Sequence, residues 1–133
     1  MANISIAIEV KQDVNGNYYL YLTDSEGHSG DNTITTTGAP GDEVTWSIST
    51  ALANTTVSIN NIYEKTDKVG NYDVFCTGPQ AKNDGTGDWE GTICTNIASK
   101  ETESYSIDYD VSVNGGAAVT YTDDPDLEID PGT

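Results

Sequence analysis

Tyr105-Ser106-Ile107-Asp108-Tyr109-Asp110-Val111-Ser112-Val113 alternates apolar and polar residues without a fault, and Asn114-Gly115-Gly116 closes it. A two-residue period places every second side chain on one face of an extended chain. The stretch therefore reads as a half-buried β-strand with Tyr105, Ile107, Tyr109, Val111 and Val113 facing inward. The same period recurs upstream. Ile4, Ile6, Ile8 and Val10 share one face, with Ser5, Glu9 and Lys11 opposite. Asn15-Gly16 follows as a hairpin signal, because both residues tolerate the positive φ of a type I′ turn. The return strand carries Tyr18, Leu20 and Leu22 on one face and Tyr19 and Tyr21 on the other, which marks a central strand or an added contact surface.

Residues 24–41 read as one long polar connection. Ala39-Pro40-Gly41-Asp42 turns the chain into Val44, Trp46 and Ile48, and a further strand covers Val57–Tyr63. Ile59 and Ile62 are out of phase there, so a bulge is expected near Asn60-Asn61. Tyr72–Cys76 reads as a short strand ended by Gly78-Pro79, followed by a Gly/Asp-rich loop over 80–88 and a strand over Trp89–Ile97. Val119, Tyr121, Leu127 and Ile129 complete the pattern, interrupted at Pro125. The sole helical candidate is one turn around Thr50–Asn54. About eight strands joined by turns predict an all-β fold, a single antiparallel β-sandwich of Greek-key or cupredoxin-like topology. It spans residues 1–130, with 131–133 as a C-terminal tail.

Charge narrows the function. Twenty-two acidic residues stand against five lysines, no arginine and one histidine, a formal net charge of −17 over 133 residues. Nucleic-acid binding needs cations that displace phosphate counterions, and this chain offers too few. A field of one sign favours solubility, cation binding and repulsion between copies, which salt screens. No stretch approaches the roughly 18 apolar residues of a membrane span. The N-terminus alternates like a strand and lacks the basic start and apolar block of a signal peptide. That leaves a cytoplasmic inclusion or virion protein, or an extracellular protein already processed.

Serine–histidine catalysis would have to run through His28, which lies in a Gly/Ser/Asp loop, the setting of a surface histidine. Carboxylate pairs for glycoside hydrolysis need a cleft and shifted pKa values, and a small sandwich has little cleft. No catalytic residue and no organic cofactor is expected. Calcium suits hard oxygen donors in Gly-containing loops. Three clusters qualify: Asp24, Glu26 and Asp31; Asp84, Asp88 and Glu90; Asp123, Asp124 and Asp126. Their other reading is ordinary turn chemistry. Tyr19 and Tyr21, out of phase with the buried set, are candidates to stack on a carbohydrate or to lie beneath a neighbouring subunit. Cys76 and Cys94 bracket the loop 77–93. They read equally as a disulfide between adjacent strands or as two small core hydrophobes.

Gly41-Asp42-Glu43-Val44-Thr45-Trp46 resembles the Gly-Asp-x-Val-x-Trp strand opening of cupredoxin-like sandwiches. The copper set of that fold is missing, since Met1 is the sole methionine. The chain also resembles the AidA/PixA family of bacterial inclusion-body proteins. The counterparts are Gly41–Trp46, then Ser49-Thr50-Ala51-Leu52-Ala53-Asn54, then Val57–Tyr63, and the ending Asp124-Pro125-Asp126-Leu127-Glu128-Ile129. Thr122-Asp123 stands where that family has an aromatic pair. The resemblance implies a non-enzymatic sandwich. Together with the two-faced strands it points to a homo-oligomer or larger assembly, such as an inclusion, filament, surface layer or virion. A small carbohydrate-binding module, assisted by calcium, is the alternative.

Overall fold

The computed structural model describes residues 3–30, 34–50, 52–65 and 73–131. Strands run as β1 (Asn3–Gln12), β2 (Tyr18–Asp24), β3 (Ser29–Gly30), β4 (Thr35–Gly38), β5 (Glu43–Thr50) and β6 (Thr55–Glu64). They continue as β7 (Phe75–Ala81), β8 (Trp89–Ile93), β9 (Glu101–Val113), β10 (Val119–Asp123) and β11 (Asp126–Ile129). No helix occurs among the described residues. One sheet has the order β3-β2-β1-β5-β8-β7; in the other, β6 lies beside β9, which also pairs with β10 and β11, and β11 pairs with β4. The fold is all-β, as the alternation predicts. It is not wholly antiparallel, because β1 pairs with β5 and β11 with β4 in parallel. The reason is topological. A hairpin forces antiparallel neighbours, but the chain leaves the first sheet after β3, lays β4 in the second, and returns beside β1 by a crossover that permits parallel pairing.

The local departures from expectation have physical causes. Residues 24–41 hold two short strands as well as a connection. In β4 the inward positions are Thr36 and Gly38, so no apolar alternation betrays the strand. Gly38 is required there, since a Cβ would come within 2.9 Å of Ile93 Cδ1 and 3.0 Å of Ile4 Cδ1. The β1–β2 connection is longer than a two-residue turn. Asp13 Oδ1 accepts from the Asn15 and Asn17 amides at 2.8 and 3.0 Å, and only Gly16 takes a positive φ. Gly78-Pro79 does not end β7. The strand runs through it with two register shifts, which an edge strand tolerates because Pro79 owes no ladder hydrogen bond on its free side. The expected bulge in β6 is present, between Ile59 and Asn61. The predicted strand over 89–97 stops at Ile93, and 52–54 form a turn; Ala51 and Tyr72 lie outside the described residues. Pro125 interrupts β10–β11 without moving the register, since Asp123 faces Ile107 and Asp126 faces Ser104.

The core lies between the two sheets. Ile4, Ile6, Ile8, Leu20, Leu22, Val44 and Trp46 from the first meet Ile62, Tyr105, Ile107, Tyr109, Leu127 and Ile129 from the second. Fully burying each such side chain contributes about 1.5–3 kcal/mol. Trp46 is the centre, with its ring centroid 5.7 Å from both Phe75 and Tyr105. Its indole N–H donates to the Tyr105 hydroxyl at 3.2 Å, so the largest buried side chain leaves no polar atom stranded. The inward alternation of β9 fails at its end, where Val113 is 42% exposed beside Val119 at 53%. Of the two cysteine readings, the bridge is the one present. Cys76 and Cys94 form a disulfide with Cα atoms 4.9 Å apart, tying β7 to the residue after β8.

Candidate functional site

Asp24 ends β2 in phase with Leu20 and Leu22, so the period that buries them carries its carboxylate inward. The sequence cannot leave it bare there, and it is not. Oδ1 accepts from the Glu26 and His28 amides at 3.0 and 2.9 Å. Oδ2 lies 2.9 Å from both the Thr36 hydroxyl and His28 Nδ1. Burial alone would raise its pKa, yet the hydrogen bonds from His28, Thr36 and Glu26 outweigh it and hold the carboxyl below its ordinary value. Asp24 thereby organises the β2–β3 turn and ties it to β4 across the sandwich. Glu26 and His28 complete a group whose donor atoms lie within 4.8 Å of one another, and Asp31 lies outside the described residues.

The other two acidic sets do not converge in this way. Asp84 caps its own loop by accepting from the Thr86 amide and hydroxyl, and pairs with Lys82 at 3.8 Å. Asp88 donates its amide to Thr86 Oγ1, while Glu90 faces Gln80 and Thr45 within the ladder. The acidic run near the C-terminus is spread over four partners. Asp123 Oδ2 accepts from the Leu20 amide at 2.7 Å, which links β10 to β2. Asp124 binds the Ser106 hydroxyl at 2.7 Å and Lys65 at 3.3 Å, and Asp126 binds the Ser104 hydroxyl at 2.6 Å.

A second convergent group was invisible to the sequence pattern. Glu64 ends β6, Asp73 precedes β7, and Glu103 points inward from β9 opposite Leu127, with their carboxylate oxygens within 4.8 Å of one another. Glu103 is completely buried. Its Oε1 accepts from the Val74 amide at 2.8 Å, and its Oε2 has no hydrogen-bond partner among the described residues. Burial drives its pKa up to about 8; the Val74 amide opposes this, and the charges of Asp73 and Glu64 reinforce it, as does the close approach of the Asp73 carboxyl, which can bond to Glu103 only by sharing a proton. Spacing gave no signal, because the three residues lie far apart along the chain, at the end of β6, ahead of β7 and within β9. A glutamate at an inward position of a strand was the clue available.

The outer surfaces are polar and hydrogen-bonded across strands. Asp108 accepts from the Tyr63 and Thr122 hydroxyls at 3.1 and 2.6 Å, and Asp110 accepts from Asn60 and Thr120. Tyr19 and Tyr21 are half-buried on the outer face of β2, and the Lys11 ammonium covers the Tyr21 ring 4.7 Å from its centroid. Among the described residues no helix is long and apolar enough to cross a membrane.

Comparison with known proteins agrees with this architecture. The crystal structure of an inclusion body protein, PixA, from Burkholderia cenocepacia superposes with a TM-score of 0.64. The match covers 96% of this chain and 95% of that chain at 11% identity, a likeness of fold. The fold expected from the AidA/PixA resemblance is therefore the fold present. No curated protein matches the sequence. Residues 1–119 match a family model described as a domain of unknown function, DUF8788, and the chain belongs to that family.

Proposed function

We propose that this chain is a structural protein that acts by self-association, packing copies of its sandwich into an inclusion or a related assembly rather than turning over a substrate. The observation that carries this is β6. It is ten residues long and pairs with β9 alone, so one edge of its backbone is left without a strand partner among the described residues. An unpaired edge is a template for another chain unless it is blunted. Other edges are shorter or blunted: β3 has two residues, β4 four and β10 five, and β7 carries Pro79 and two register shifts. A single bulge interrupts β6. The shared fold with a protein named for inclusion bodies supports the same reading.

Thr56 and Ser58 are exposed on β6. Placing a carboxylate at each (Thr56→Asp with Ser58→Asp) puts charges at the edge that must lose water when it pairs, a cost salt does not screen, without touching the core. Light scattering after size exclusion in high salt should show large species for the parent chain and mostly monomer for the double variant. Equal assembly of the two would remove β6 from the interface, and a monomeric parent under all conditions would remove the proposal.

A further inference from the structure

We infer that Glu64, Asp73 and Glu103 form a binding site for a divalent cation, with calcium as the best fit. Three carboxylates from three separate strands or strand ends converge within 4.8 Å. Convergence alone is common on an acidic protein. What distinguishes this group is Glu103, whose side chain is wholly buried and whose Oε2 finds no donor among the described residues. Buried carboxylate oxygens are ordinarily satisfied, and one left bare calls for a ligand. Among the described residues none of the lysine salt bridges reaches the trio. The other convergent group, at Asp24, is already supplied with amide, hydroxyl and imidazole partners.

Ligand chemistry favours calcium. Calcium binds oxygen at roughly 2.3–2.6 Å, so opposite ligands in its shell stand about 4.6–5.2 Å apart. Donor oxygens that all lie within 4.8 Å of one another can share such a shell. Magnesium, at about 2.0–2.1 Å, demands a near-ideal octahedron and holds its waters more firmly, so a cage of protein carboxylates suits it less. A hard, charge-rich oxygen set also disfavours the softer transition metals. Glu64 and Asp73 flank the connection between β6 and β7, so a bound ion would fasten the end of one sheet's edge strand to the start of the other sheet's. The inference stands apart from the assembly proposal.

Calorimetric titration of the chelator-treated full chain with calcium chloride, paired with thermal melting, tests it. One saturable site and a melting temperature raised by several degrees in millimolar calcium are expected. Glu103→Gln keeps the Val74 hydrogen bond and the side-chain shape, and should abolish both responses while leaving the near-ultraviolet circular dichroism intact. Asp84→Asn, on the exposed loop, should leave both responses in place. No heat with millimolar calcium would overturn the site, as expected if Glu103 and Asp73 instead share a proton. So would a full response in Glu103→Gln, or a response lost only in Asp84→Asn.

Discussion

Asp24 and Glu103 are both carboxylates carried into a sandwich interior by strand periodicity, yet their surroundings push them in opposite directions. Asp24 meets two backbone amides, a hydroxyl and an imidazole, and its pKa is lowered. Glu103 meets one amide and two further carboxylates, and its pKa rises to about 8. Both are shielded from solvent, but Glu103 is the more deeply desolvated and has the fewer donors, and the two together set the sign. One corner is a finished piece of framework; the other is held together around a deficit.

The Glu103 corner therefore leans on a covalent brace. Val74, which donates to Glu103, also accepts from the Cys94 amide at 2.8 Å, directly beside the Cys76–Cys94 bridge. Replacing both cysteines by serine should destabilise the chain by about 3 kcal/mol from loop entropy. Hydrogen exchange should quicken most at 73–76 and least at the Asp24 turn. Uniform quickening would break the distinction between the corners. Next in size is Asp24→Asn. The amide group turns a donor toward groups that are themselves donors, so stability should fall by about 2 kcal/mol in chemical denaturation.

Acidity separates the corners further. A lowered folded pKa means that the stability Asp24 supplies is present above its unfolded value near 3.8 and is lost as pH falls through the folded value. Glu103 works the other way. Between about 4.5 and about 8 the folded carboxyl keeps a proton that the unfolded one has lost, so stability declines as pH rises through that window in chelator. Glu103→Gln should change little at pH 5 and stabilise by several kcal/mol, on the order of 4, at pH 8. A variant equally stable, relative to the parent, at both values would mean that Glu103 is not proton-linked. The smallest effect belongs to the outer ladder. Asn60→Ala removes an exposed bond to Asp110 and should cost about 0.5 kcal/mol or less in the same assay.

The contrast also marks what a sequence discloses. Strands with branched or aromatic residues at every second position, such as Ile4–Val10 and Tyr105–Val111, announce themselves, and the bulge at Asn60 shows as a phase error. β4 does not, because its inward residues are threonine and glycine, chosen to fit beneath Ile4 and Ile93. Parallel pairing of β1 with β5 is likewise hidden, since it depends on the route of the chain between sheets. Of the three acidic sets, among the described residues, only Asp24 with Glu26 comes together. Glu64, Asp73 and Glu103 are gathered by tertiary structure alone, and no local pattern records it.

Sedimentation velocity of the purified chain across a salt series addresses the main proposal most directly. Copies carrying a charge of −17 repel one another at low ionic strength, and screening over a few ångströms removes that barrier. Monomer in dilute buffer and progressively larger species as salt rises are expected. A monomer at every salt concentration, or assemblies that dissolve when salt is added, would contradict it.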